Sequence, residues 1–410
     1  MDESRRAFLR TAVALGGSVG LSMCLSRDKD KEVPKGSDRS SLPERQFAWN
    51  EYLDTDDAGN PVAPRHHLVL LMEYSGGEPG KDMRDLDLLF RSLEKAYEWS
   101  NEGLLYTVGY SRRYFDRFDA VPVGSDIREP EPLAEFENPE KDRQDIAVHL
   151  ASDHGSVVLS AEEALKGNAE ELNDVEVEGD ASFLRVDDRR PGFVGKGLPS
   201  SHQDVEGVPE GHVPEESPLY MGFKSGFRGN QASEKRVAIG EGSYADGCVQ
   251  HVSKLDLNLD QWYLQDDRFQ RVGKMFCPLM AEEGDVKGVG DNLGQSDDVV
   301  EHGCPAHTEK DAEEYGMVGH SQKTARARRN DEPLILRRDF DSAMGGRSQL
   351  VFVSLQESTG DFVETRKEMN GGGVADTVGR RNNNGILQYI DVERRGNFLI
   401  PPRSRMALPT

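Results

Sequence analysis

Cysteine is scarce in this chain, which has four, Cys24, Cys248, Cys277 and Cys304, among 410 residues. With Cys24 in the N-terminal segment, three remain, and these can form at most one internal disulfide. A disulfide-rich scaffold is therefore excluded. Beyond the N-terminus there is also no apolar run of the roughly 20 residues that a membrane-spanning helix needs.

Basic residues are too few to balance the acidic ones. The sequence has 50 Lys and Arg against 74 Asp and Glu, which gives a net charge of −24. Such a surface repels phosphate, so neither nucleic acid nor anionic lipid is an expected partner. Apolar runs at residues 68–72 and 350–355 argue against global disorder. We therefore expect a folded protein adapted to concentrated salt, where charge repulsion is screened to within about 3 Å at 1 M.

The N-terminus carries a pattern that is typical of export. Residues 4–10 read SRRAFLR, and an uncharged apolar stretch too short to span a bilayer follows at residues 11–23. This predicts a twin-arginine signal over residues 1–26, although a short amphipathic helix could also contain Arg-Arg by chance. Cys24 follows Leu-Ser-Met, so a lipid anchor at Cys24 is an alternative to release. We expect an extracellular or cell-surface protein.

The next segments predict a linker and a first α+β half. Residues 27–62 are charged and aperiodic, which predicts a flexible linker. Residues 63–169 alternate between strand and helix periodicity in the order β-α-β-β-α, the order of a ferredoxin-like half. The predicted strands are residues 66–74, 104–110 and 145–151, and the predicted helices are residues 82–99 and 160–166.

A second α+β half is predicted over residues 217–405. Between the two halves, residues 170–216 are acidic and rich in Gly and Pro, which predicts an exposed connection. The predicted strands of the second half are residues 250–259, 349–356 and 386–390, and its predicted helices are residues 265–275 and 361–369.

Several segments, in this order, resemble the Dyp-type (dye-decolourising) haem peroxidases over about residues 64–402. Residues 104–110 (LLYTVGY) and 114–118 (YFDRF) resemble a family strand and the turn after it. Residues 222–226 (GFKSG) stand where the family has G-x-x-D-G. Residues 320–326 (HSQKTAR) and 334–340 (LILRRDF) resemble the segments that carry the proximal histidine and the distal arginine.

The resemblance implies two ferredoxin-like halves of the dimeric α/β-barrel type, with antiparallel sheets and helices outside. It implies haem b in the C-terminal half, with His320 as the axial iron ligand and Arg337 as the distal arginine. Gly222 and Gly226 would be turn glycines beside the cofactor. The implied activity is reduction of hydrogen peroxide with oxidation of a small-molecule donor.

The residue types suit that chemistry, with one departure. A neutral imidazole is a natural haem ligand, and an arginine that stays protonated stabilises negative charge developing on peroxide. An acid/base group must move a proton, but Ser225 replaces the motif's aspartate. Either Arg337 alone suffices, or Asp339 takes over, because residues two apart on a strand share a face. The third interpretation is a haem-binding or iron-handling lipoprotein with little peroxidase activity.

Three further alternatives stay open at this stage. His307 is the other candidate axial ligand, and Arg338 is the other candidate distal arginine, although on a strand it would face away from Arg337. A metal site could combine His302, Cys304, His307 and Cys277, but its spacing matches no common zinc pattern. A relative with the same fold and no cofactor is the weakest interpretation.

Overall fold

The computed structural model describes residues 32–119 and 125–409 of the chain. The predicted twin-arginine signal and Cys24 therefore lie outside the described residues. Within the described part, no helix combines the length and apolarity needed to cross a bilayer.

The first half is a ferredoxin-like unit with the strand order β7-β1-β4-β2, all antiparallel. Its elements are β1 (His66–Tyr74), α1 (Pro79–Ala96), β2 (Leu105–Ser111), α2 (Arg112–Asp116), β3 (Glu140–Lys141), β4 (Ile146–Ser152), α3 (Gly155–Leu165), β5 (Glu171–Leu172), β6 (Val175–Glu176), β7 (Leu184–Phe193) and α4 (Leu198–Ser201).

The prediction of an exposed connection over residues 170–216 is wrong, because β7 lies inside it and pairs with β1 along its whole length. Charged residues in the middle of this strand hide its periodicity. Two of them have internal partners: Arg190 donates to Asp142 at 2.6 Å and Arg189 donates to Glu162 at 2.7 Å. Paired charges can be buried where single ones cannot, so a strand can read as a polar loop.

The flexible linker predicted over residues 27–62 is wrong in its second part. Phe47 and Trp49 are only 0% and 1% exposed. The Gln46 side chain accepts the Val108 N–H and donates to the Pro401 carbonyl oxygen, both at 2.8 Å. The charged composition of this segment masked a few apolar side chains that anchor it to both halves.

The second half repeats the ferredoxin-like order, with the strands arranged as β12-β13-β8-β14. Its elements are β8 (Cys248–Leu257), α5 (Leu259–Leu264), α6 (Arg268–Met275), α7 (Pro278–Glu283), α8 (Thr308–Tyr315), α9 (His320–Thr324), β9 (Arg328–Arg329), β10 (Glu332–Pro333), β11 (Leu336–Arg337), β12 (Phe340–Ser342), β13 (Gln349–Gln356), α10 (Thr359–Met369), α11 (Ala375–Val378) and β14 (Ile390–Ile400).

The two halves join into one closed barrel of eight strands. At one seam β12 pairs with β7 through Asp341 and Phe193, and at the other β14 pairs with β2 through Phe398 and Ser111. Apolar side chains from both halves fill the interior, among them Val69, Leu71, Val252, Val351 and Phe398. The predicted α+β fold of the dimeric α/β-barrel type, with helices outside an antiparallel sheet, is confirmed.

Cysteine usage agrees with one internal disulfide. Cys277 and Cys304 are bonded to each other, which ties α7 to the segment before α8, and Cys248 is a buried thiol. The metal site proposed from Cys277, Cys304, His302 and His307 is therefore wrong, because neither sulfur is available as a thiolate ligand.

Candidate active site

A cavity lies between the outer face of the second half's sheet and the two helices α9 and α10. Strand alternation supplies its floor, since residues two apart point to the same face. Its volume is about 210 Å³, on a measure by which one water needs ~10–15 Å³. Most of its lining is apolar, and the aromatic and aliphatic members include Phe223, Phe227, Leu255, Leu257, Phe276, Leu334, Leu350, Phe352, Phe362, Met369 and Ile390.

Four of the residues predicted from sequence line this one cavity: Ser225, His320, Arg337 and Asp339. They come from three segments that are far apart in the chain. The closed barrel brings these segments together on one face of the second half.

His320 is held at the first position of α9 by close backbone contacts. A Cβ on Gly319 would lie 1.7 Å from the Phe276 carbonyl oxygen, and a Cβ on Gly385 would lie 3.0 Å from the His320 nitrogen. Only glycine fits at Gly319, and Gly385 lies directly behind His320. Together these contacts fix the start of the helix and hence the position of the imidazole.

The His320 imidazole is neutral at ordinary pH. Burial among protein atoms, together with the positive charges of Arg337, Lys323 and Arg366, lowers its pKa to about 3. Its Nδ1 is buried and has no hydrogen-bond partner in the described part of the chain. A neutral, underused imidazole facing a cavity has the properties of a metal ligand.

Arg337 ends the short strand β11, opposite Ser354 of β13. Its backbone N–H donates to Gln231 Oε1 at 2.9 Å, which holds the residue in place. Its positive charge acts on both His320 and Asp339, lowering the pKa of each. Arg338 lies on the opposite side of the strand, where it is buried against Trp49.

Asp339 is enclosed by protein, and burial raises the pKa of its carboxyl to about 6 although Arg337 and Arg338 oppose the shift. Its Oδ1 is buried without a partner among the described residues. A carboxyl with these properties can change protonation state near neutral pH, as a general acid or base must.

Ser225 lies in an irregular segment between two glycines. Gly222 and Gly226 have φ values of 82° and 79°, a left-handed conformation that favours glycine. A Cβ on Gly222 would also lie 2.6 Å from the Tyr263 hydroxyl oxygen. Both positions have a backbone that favours glycine, and the segment between them brings Ser225 to the cavity lining.

Two arginines of the cavity wall were missed by sequence reasoning. Arg366 and Arg395 are 6% and 2% exposed and share the carboxylate of Glu137, from Oε1 to Arg366 and from Oε2 to Arg395 at 2.9 Å. Arg366 Nη1 and Arg395 Nε are still buried without partners among the described atoms. Only the distant residue Glu137 distinguishes these arginines from surface charges, so no local pattern reveals them.

The remaining candidate ligand lies elsewhere. His307 is exposed at the end of a 3₁₀ turn, Cys304–His307, and does not line the cavity. The nearby His302 lies 3.4 Å from both Glu283 and Asp285. An imidazole and two carboxylates can make such contacts without a metal ion between them.

Comparisons with known proteins agree on the fold. A family model described as a family of unknown function, DUF7405, matches residues 64–402. A DyP-type peroxidase from Cellulomonas bogoriensis is 14% identical, with a TM-score of 0.56 over 91% of this chain and 95% of that one. Ferric DtpA from Streptomyces lividans is 16% identical, with a TM-score of 0.54 over 90% and 96%.

A DypB variant from Rhodococcus jostii, solved in complex with haem, is 12% identical, with a TM-score of 0.50 over 84% of this chain and 96% of that one. No curated protein matches the chain. At these identities the structural likeness shows a shared fold, and the chemistry has to be argued from the cavity.

Proposed function

We propose that this chain, which belongs to the DUF7405 family of unknown function, is an exported haem peroxidase that reduces hydrogen peroxide and oxidises a small-molecule donor. One observation carries the proposal: the neutral imidazole of His320 and the guanidinium of Arg337 belong to the same apolar cavity. An axial ligand and a fixed positive charge within one enclosed site are what peroxide chemistry on haem requires.

The residues of the cavity fit haem. Haem is a flat apolar ring with two carboxylates, and the cavity combines an apolar lining with the unpartnered donors Arg366 Nη1 and Arg395 Nε. No cysteine is among the residues that line it, which favours non-covalent haem b. His320 would hold the iron, and Arg366 with Arg395 would hold carboxylate groups.

The bound haem would supply the redox chemistry of peroxide reduction. The residues of the chain would position the iron and the peroxide, and they would move protons. His320 stays neutral and therefore free to bind the iron. Arg337 stays charged and stabilises negative charge on the bound peroxide. The apolar lining excludes bulk water, which strengthens both electrostatic effects.

Asp339 is our candidate for the proton-transfer group, because Ser225 cannot hold a proton as a carboxylate does. Its Oδ1 is the atom without a partner, and the residue lines the same cavity as Arg337. In the ionised form Oδ1 would accept a proton from peroxide, and in the neutral form it would return one.

The experiment that tests haem binding is an absorption spectrum of protein exported and purified in concentrated salt. Wild type is expected to show a haem Soret band, and His320→Ala is expected to lose it. The matched control is His307→Ala, which is expected to keep the band because that side chain is exposed. An unchanged band in His320→Ala contradicts the assignment of the ligand.

The second candidate function is haem binding or iron handling with little peroxidase activity, which Ser225 favours. Peroxide-dependent oxidation of a small donor separates the two. Activity in wild type that falls in both Arg337→Ala and Asp339→Asn supports the peroxidase. A wild-type protein that contains haem but shows no donor oxidation supports the alternative.

Export is proposed from residues 1–26. Replacement of both Arg5 and Arg6 by lysine is expected to leave the protein in the cytoplasm, and Cys24→Ser is expected to release it if a lipid is attached there. Secretion of the double lysine variant at the wild-type level contradicts the twin-arginine assignment. Retention of structure only in molar salt would support the proposed adaptation to salt.

A further inference from the structure

Asp341 is a second buried carboxyl in the cavity, and neither the sequence motifs nor the comparisons assign it a role. It lies in β12, is 1% exposed, and lines the cavity together with Asp339. Its Oδ2 accepts the backbone N–H of Tyr220, whereas its Oδ1 is buried without any partner among the described atoms. Burying a carboxyl with one oxygen unpaired costs free energy, and the cost is much larger for the charged form than for the neutral one.

β11 and β12 pair with β13 in one continuous register, so Asp341 shares a face with Asp339 and Arg337. These residues are two apart, and the residues between them point the other way. Phe340 stacks on His67 in the barrel interior, with ring centres 4.9 Å apart, and Arg338 lies over Trp49. One face of the segment formed by β11 and β12 therefore presents the Arg337 cation followed by the carboxyls of Asp339 and Asp341.

The backbone of Asp341 is clamped, so its side chain cannot turn out of the cavity. Asp341 pairs with Phe193 of β7 on one side and with Leu350 of β13 on the other. Gly192 packs so closely that a Cβ there would lie 2.1 Å from the Asp341 carbonyl oxygen. The position is at the seam of the barrel, where movement would break the pairing between the two halves.

The charges around the pair do not allow both carboxyls to ionise. Arg337 and Arg338 act on Asp339. On the other side, Asp341 is near the phenols of Tyr220 and Tyr263 and raises the pKa of each. These phenols have no positive charge that could neutralise a carboxylate. Among the other charged side chains of the lining, Lys224 pairs with Asp56, and Arg366 and Arg395 pair with Glu137. Two carboxylates in a buried site with so little compensation keep a proton.

We propose that Asp339 and Asp341 act as a pair that retains one proton at neutral pH. The pair takes over the role of the motif aspartate, whose position is occupied by Ser225 in this chain. Burial and the charge of Asp339 raise the pKa of Asp341 well above its ordinary value, so Asp341 is the neutral member. Asp339 lies beside Arg337 and is the ionised member. The catalytic part of this assignment rests on the proposed peroxidase function, whereas the shared proton does not.

In the peroxide reaction the pair would neither gain nor lose protons overall. The ionised carboxylate takes one proton from peroxide, the O–O bond breaks, and a proton from the pair goes to the departing oxygen. That oxygen leaves as water with two protons. Haem, when bound, would supply the two electrons, and the donor would return them.

Infrared spectroscopy tests the pair directly, because a protonated carboxyl has a carbonyl stretch separate from that of carboxylates. Wild type at pH 7 is expected to show this band, and Asp341→Asn is expected to lose it, since Asp341 carries the proton and Asp339 is already ionised. In Asp341→Asn the midpoint of Asp339 should change little, because Asp341 is already neutral when Asp339 titrates. Asp297→Asn, which removes another buried carboxyl of the cavity lining, is the matched control and should keep the band.

A band that survives in Asp341→Asn overturns the proposal, and so does a wild-type spectrum without the band at pH 7. Should the variant not fold, a pH titration of wild type decides instead: a pair loses its two protons in two separated steps, and a single step overturns the proposal. A colourless protein would overturn haem binding and leave the infrared result valid. A Soret band without the infrared band would overturn the carboxyl pair and leave haem binding valid.

Discussion

The guanidinium carbon of Arg338 lies 5.4 Å from the centre of the Trp49 ring, and its Nη2 donates to Asn50 Oδ1 at 2.8 Å. Arg338 thereby fastens the segment before β1 to the barrel, with Glu234 as a third partner at 3.3 Å. Its neighbour Arg337 faces the cavity instead. Two adjacent arginines therefore have separate tasks, one in the fold and one in the site.

This separation predicts opposite phenotypes. Arg338→Met should destabilise the protein by about 3 kcal/mol, because it leaves Glu234 without its buried partner. Arg337→Met should change stability little and should slow the reaction with peroxide by roughly 10²–10³-fold. Urea unfolding and stopped-flow mixing with peroxide measure the two effects. Equal loss of stability in both variants would contradict the assignment.

The stability of Asp339→Asn should depend on pH in a defined direction. The folded-state pKa of Asp339 is raised to about 6 from its ordinary value of 3.8, so the carboxyl stabilises the fold when protonated. That contribution is present below about pH 4 and is lost as the pH rises through 6. Relative to wild type, Asp339→Asn should therefore gain about 3 kcal/mol between pH 4 and pH 8.

Urea unfolding at the two pH values measures this gain. Asp376→Asn, on an exposed side chain, controls for the loss of one carboxylate from a very acidic protein. A variant that gains stability towards low pH would show that the fold lowers the pKa of Asp339 and does not raise it.

Glu137 should be essential for the cavity wall because it neutralises both Arg366 and Arg395. Glu137→Gln is expected to cost about 3–5 kcal/mol, since it leaves two buried cations without a carboxylate. Glu135→Gln is the matched control: it breaks a surface pair with Arg380 in which both side chains are more than half exposed, and such pairs contribute about 0–1 kcal/mol. Similar midpoints of urea unfolding for the two variants would contradict the role of Glu137.

The disulfide should stabilise the fold without taking part in the site. It closes a loop with a sequence separation of 27, for which chain entropy gives about 3.5 kcal/mol. The double variant Cys277→Ser and Cys304→Ser should lose roughly that amount in thermal or urea unfolding and keep the Soret band. Loss of the band in a folded variant would show that the disulfide also shapes the cavity.

The predictable part of the fold is the part that the hydrophobic pattern encodes. Apolar runs gave β1 and β13 their observed bounds, His66–Tyr74 and Gln349–Gln356. By contrast, β14 was predicted to end at Ile390, the residue where it begins. Its middle is charged, and Arg394 pairs with Asp142, 252 residues away. A buried ion pair between distant segments leaves no periodic signal in either.

The site divides along the same line. His320, Arg337, Ser225 and Asp339 lie in short segments with recognisable order, so their shared cavity could be anticipated. Arg366 looks like an ordinary charge on a surface helix, because its partner Glu137 is 229 positions away. Asp341 lay just beyond the recognised segment, and only the pairing of β12 with β7 places it in the cavity wall.

The closed ring of strands makes the two halves mutually dependent. A fragment that ends between them would expose two unpaired strand edges, β7 and β2 on one piece and β12 and β14 on the other, and bare edges recruit other chains. Neither piece is expected to survive alone as a monomer. We expect the two halves to unfold together, in a single cooperative step.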